Sequence, residues 1–155
     1  MVSLLRSILL LFLLLTVANG VAADESESEI TPELALDVAK LYQSDPLAED
    51  AISLIAILVK FSRESDQVLV HFSTDYFPPN LKNMDPQISA QLLGAYIAGN
   101  IEYQLENNVN ENRATEGVIS MLGTYAALKQ SGVVSELPSL ETWIEKAENG
   151  ELEFD

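Results

Sequence analysis

Cysteine is absent from all 155 residues, which excludes disulfides, thiolate zinc sites, iron–sulfur clusters and thiol catalysis. Histidine occurs once, as His71, so one chain has no multi-histidine metal site. Positive charge is scarce too, with 8 Lys and Arg against 24 Asp and Glu and a formal net charge of −16 at pH 7. Arg6 is the only charge in the first 23 residues, so the remaining 132 carry −17. Such a chain repels nucleic acid and anionic lipid rather than seeking them. Several motifs are also missing: a phosphate-binding glycine loop, a His-Glu-x-x-His helix, an EF-hand loop and a Gly-x-Ser-x-Gly elbow.

The long apolar run is confined to the start. Residues 1 to 23 have an n-region with Arg6, an apolar stretch from Ile8 to Leu15 and a small-residue exit at Val21-Ala22-Ala23. This is the layout of a cleavable export signal, with cleavage expected after Ala23 and Ala18-Asn19-Gly20 as a second possible exit. The apolar run is shorter than the ~18–20 residues that span a bilayer, so no stable membrane span is expected after cleavage. The expected destination is secreted or periplasmic; the lack of cysteine and of any Asn-x-Ser/Thr sequon agrees with a bacterial periplasm. Without the leader, 57 apolar residues remain among 132, enough for one core but not two.

Residues 24–30 open with Asp24-Glu25-Ser26-Glu27-Ser28-Glu29, an acidic, flexible spacer with charge but no geometry for a cation. A helical domain is expected over 31–150, with an acidic tail at 151–155. Thr31-Pro32, Asp45-Pro46 and Asp85-Pro86 each set a capping side chain before a proline, and so predict helix starts. The expected helices run from Pro32 to about Gln43, Pro46 to about Glu64, Pro86 to about Glu106, Arg113 to Gln130 with Asn112 as cap, and Pro138 to about Glu148. The second is apolar nearly all round, which predicts a central position. Gly94, Ala95, Ala98 and Gly99 in the third predict close approach of another helix. Gly132 and Asn149-Gly150 suit helix exits. Val68, Val70 and Phe72 alternate with Leu69 and His71, a strand period over 67–72; a lone strand would be an extended buried connection or would pair across a dimer. The fold class expected is mainly α, about five helices in antiparallel αα-hairpins, as a bundle or a short solenoid-like array.

One internal echo stands out. Leu92-Leu93-Gly94-Ala95-Tyr96-Ile97-Ala98 and Met121-Leu122-Gly123-Thr124-Tyr125-Ala126-Ala127 agree at four of seven positions, 29 residues apart. The Leu-Gly, Tyr and Ala pattern resembles part of a tetratricopeptide repeat, but its tyrosine spacing is one residue short and its interval is below the ~34 of that family. It carries no residue roles over.

Catalytic readings fare poorly. His71, Ser73 and Asp75 contain hydrolase residue types but lie too close in sequence to be set apart by a scaffold. The pairs Glu49 and Asp50, Glu102 and Glu106, and Glu141 and Glu145 fit a solvated helix face better than a cleft. Neither a cofactor nor a metal is implied. The loop Tyr76-Phe77-Pro78-Pro79 is the least routine in the chain, suited either to capping the core or to anchoring a partner. Residues 136–155 hold seven acids and one lysine, a docking surface for a cationic partner, with Glu141 and Glu145 at its helical centre. The expected function is a non-catalytic protein–protein interaction or adaptor module, whose partner is cationic or bears an apolar patch. The alternative is a helical binding module for a small apolar or cationic ligand held between the third and fourth helices.

Overall fold

Two of the three capping pairs open helices in the computed structural model, which describes residues 29–154. The expected leader at 1–23 and all but the end of the acidic spacer lie outside the described residues. Thr31 caps α1 (Pro32–Ser44), its side chain accepting from the Leu34 N–H. Asp85 caps α3 (Pro86–Asn107), with Oδ1 2.8 Å from the Gln87 nitrogen. Asp45-Pro46 does not open a helix. Asp45 closes α1 instead, residues 46–50 form turns, and α2 begins five residues later than expected (Ala51–Glu64). A capping residue that sits where the chain must reverse serves the helix behind it, and the turn consumes the next residues. Helices α4 (Ala114–Gln130) and α5 (Pro138–Glu148) complete the set. Gly132 and Gly150 follow them at φ of 78° and 69°, a region that suits glycine.

The helices form a single-domain bundle in which α3 packs on α1, α2 and α4. The central helix is therefore α3, not the apolar second helix. In α2, Ile52 is 45% exposed and Ala56 is exposed, whereas α3 buries residues around its circumference from Gln91 to Gln104. Small side chains, not apolar ones, admit three neighbours. A Cβ on Gly99 would lie 2.6 Å from the Glu116 carbonyl oxygen, and one on Gly117 would lie 2.7 Å from the Tyr96 ring. As α3 residues descend from Asn100 to Tyr96, their α4 partners rise from Arg113 to Gly117, so the two helices form an antiparallel hairpin.

The strand expected near 67–72 is absent; no strand occurs among the described residues. The segment is extended, but side chains supply the ladder. Gln104, fully buried, accepts from the Leu69 N–H at 2.8 Å and donates to the Leu69 carbonyl at 2.9 Å. Two residues on, the Asn112 carboxamide oxygen accepts from the His71 N–H at 2.8 Å and the Tyr96 hydroxyl donates to the His71 carbonyl at 2.8 Å. Alternate residues thus meet side-chain partners where a neighbouring strand would offer backbone. Asn112 is thereby diverted from the capping role expected of it, and α4 starts at an N-cap, Arg113, that makes no side-chain capping bond.

The last described residues are also engaged. Leu152 is buried, and the Phe154 N–H donates to the Thr115 hydroxyl at 2.9 Å, so residues 151–154 lie along the domain rather than trailing from it. Among the described residues no helix is long and apolar enough to cross a membrane.

Candidate partner-binding surface

Six aromatic rings meet in one continuous chain, drawn from five parts of the fold. Phe72 in the extended segment lies 6.0 Å from Phe77 and 5.6 Å from Tyr96 between ring centroids. Phe77 stands edge-on to Tyr96 at 5.0 Å, and Tyr76 stacks on Tyr96 at 5.9 Å. Tyr76 then meets Phe154 at 5.8 Å, and Phe154 meets Trp143 of α5 at 5.3 Å, both edge to face. Offset and edge-on pairs of this kind add about 0.5–1.5 kcal/mol each beyond the area they bury. The 3-10 turn Thr74–Tyr76 sets the loop's direction, started by Ser73, whose hydroxyl accepts from the Asp75 N–H. Tyr96 anchors the chain from α3: it is fully buried, and that burial raises the pKa of its phenol.

The residues singled out in the sequence divide here. Phe77 and Pro78 are buried and cap the core; Tyr76 is half-buried and Pro79 is exposed. Glu145 is exposed, while Glu141 is held by its own chain: Lys129 Nζ lies 2.5 Å away and the Tyr125 hydroxyl donates to the same oxygen. These two donors, Lys129 first, hold the Glu141 carboxyl below its ordinary range. The loop and the acidic C-terminal segment do meet, through Phe154. Sequence reasoning missed Phe72, Trp143 and Phe154 as members of this surface. Phe72 read as a strand residue, yet it is 56% exposed, the most open large apolar side chain among the described residues. Asp75, Glu151 and Glu153 lie beside these rings in sequence and are exposed.

The other candidates of the sequence are placed without forming a reactive centre. His71 and Asp75 are exposed and Ser73 is half-buried, its hydroxyl accepting from the Asp75 N–H, and the bonds of His71 to the fold run through its backbone. Glu106 pairs with Lys40 at 2.6 Å, and Glu102 accepts from the Gln43 side chain. Among the described residues no three His, Asp or Glu are grouped to hold a metal. Helices α3 and α4 are in close contact at Gly99 and Gly117. A trough of about 380 Å³ follows their seam, lined by Gly99 and Tyr103 of α3, Glu116 and Ser120 of α4 and Gln43 of α1. The Arg113 guanidinium lies over the Tyr103 ring at 4.4 Å and pairs with Glu116 at 3.2 Å, so it engages two residues of the trough's wall.

The chain matches no family model, no curated protein and no solved structure.

Proposed function

We propose that this is an exported, non-catalytic binding module that docks a cationic protein partner on its aromatic and acidic face. The observation that carries the reading is the ring chain itself: it emerges at Phe72, 56% exposed, and exposed carboxylates flank its rings in sequence. Aromatic rings supply contact area at low entropic cost, and exposed carboxylates favour arginine- and lysine-rich partners over others. The leader supports export, and the charge of −17 beyond it supports electrostatic attraction of such a partner. Phe77 and Pro78 contribute by holding the rings in place, and Glu145 by adding to the acidic field.

The test is capture of partners from the exported compartment, with the protein as bait, at low and then high salt. Phe72→Ala should weaken the captured complex about tenfold, roughly 1.4 kcal/mol, with the melting temperature lowered only by the loss of its ring contacts with Phe77 and Tyr96. Charge reversal at Glu151 and Glu153 should reduce capture at low salt more than at high salt. Capture unchanged by both sets of variants would overturn the reading.

A further inference from the structure

A second surface lies at the far end of α4. Three of the exposed large apolar side chains converge on one open groove: Leu47 at 41%, Ile52 at 45% and Val133 at 54% exposure. They come from the α1–α2 turns, the first turn of α2 and the exit of α4, and the half-buried Ile88 of α3 and the buried Leu128 of α4 complete the floor. The volume is about 660 Å³. Thr115, which meets Phe154, and Leu128 are thirteen residues apart on α4, about 20 Å along the helix, so the groove is separate from the aromatic face.

Chemistry selects the occupant. The charged residues lining the groove are Glu49 and Asp85, both exposed, with no Lys, Arg or His among them. The exit of α4 borders the groove together with the starts of α2 and α3, so helix dipoles of both signs meet there and the two carboxylates set its charge. An open trough leaves much of a small molecule in water, whereas ligand sites enclose most of theirs. We infer that this groove docks a short amphipathic segment of another protein, its apolar side chains on Leu47, Ile52 and Val133 and its lysines or arginines against Glu49 and Asp85. The inference does not rest on the aromatic face, and either surface can fail alone.

The probe is a fluorescein-labelled helical peptide of about 14 residues, leucines along one face and lysines elsewhere, titrated by anisotropy into the protein. Two control peptides replace the lysines by glutamates or spread the same leucines around the helix. The lysine peptide should bind, and both controls should bind at least about tenfold more weakly. The variant Ile52→Ser/Val133→Ser, chosen to leave the acidic rim unaltered, should lose at least about tenfold while keeping its melting temperature, and Phe72→Ala should bind as the parent does. Equal binding of the spread-leucine peptide would reduce the groove to bulk charge and overturn the inference, as would no binding, or equal binding by the double serine variant. Sedimentation velocity covers the remaining occupant: self-association abolished by the serine variant would assign the groove to a second copy and overturn the docking of a foreign segment.

Discussion

The two echoed stretches share a pattern and live in different surroundings. Gly94 of α3 is buried, and a Cβ there would lie 2.4 Å from the Ile55 side chain; Gly123 of α4 is exposed, with nothing within 4 Å of such a Cβ. The two tyrosines, by contrast, play parallel parts. Both are fully buried, and each uses its hydroxyl to tether a segment outside its own hairpin: Tyr96 holds the His71 carbonyl, while Tyr125 accepts from the Leu137 N–H at the start of α5 and donates to Glu141. The difference shows what the glycine does in each case. In α3 it admits a neighbour on a third side; in α4, whose outer face meets water, it lowers helix propensity without a packing return.

The largest break in this comparison comes from the tether on the α3 side. Gln104→Leu keeps the apolar volume but removes both bonds to Leu69, leaving a backbone N–H and a carbonyl without their partner. Each such loss costs about 1–3 kcal/mol when buried; Leu69 is itself partly open, so about 3 kcal/mol is expected for the pair. Chemical denaturation measures the loss, and amide exchange at Leu69 should accelerate well beyond that of α4 amides. A variant as stable as the parent would show that water replaces Gln104 without penalty.

The glycines give a smaller effect with opposite signs. Gly94→Ala should destabilise by about 1–2 kcal/mol, since Ile55 must leave its rotamer, and the penalty should shrink in an Ile55→Ala background, which removes all three contacting carbons. Gly123→Ala should stabilise by up to about 1 kcal/mol through helix propensity alone. Thermal denaturation of these variants decides it. Equal signs for Gly94→Ala and Gly123→Ala would erase the distinction between the two helices.

Much of this was legible in the sequence, and what was not has a common cause. Helix starts at Pro32 and Pro86 follow from local chemistry, because a cap and a proline act within one turn, and the start at Pro138 follows from its proline alone, Leu137 making no side-chain cap. The exits at Gly132 and Gly150 follow likewise. Long-range competition decided the rest. Asn112 had two possible tasks, and the unpaired backbone of His71, 41 residues away, took it. Alternation over 67–72 correctly reported extended backbone but could not name its partner, since Gln104 resembles any polar residue on a helix face. The aromatic surface was half visible: Tyr76 and the acidic segment were expected to share one surface, but the rings that join them, Phe154 and Trp143, were not recognised.

The smallest effect separates the tethers by acid. Tyr96 binds a backbone carbonyl, whose acceptor strength does not change between neutral and acid pH. Tyr125 shares Glu141 with Lys129, whose ammonium, as first partner, holds that carboxyl below its ordinary value of 4.5. A carboxyl with a depressed folded-state pKa adds stability that is complete above the unfolded value and is lost as pH falls through the lowered one. The α5 anchor should therefore hold at neutral pH and loosen below about 4.5, while the Tyr96 tether keeps its strength. Trp143, the only tryptophan in the chain, sits in α5 against Phe154 and reports this step by fluorescence; the helical circular dichroism reports the bundle. In the parent, Trp143 emission should shift at a higher pH than the loss of helix. Glu141→Gln cannot be protonated and keeps no ion pair with Lys129, so its emission should already be shifted at pH 7 and show no separate acid step. If emission and helicity move together in both proteins, α5 is not held by this carboxylate and the two tyrosine tethers are equivalent.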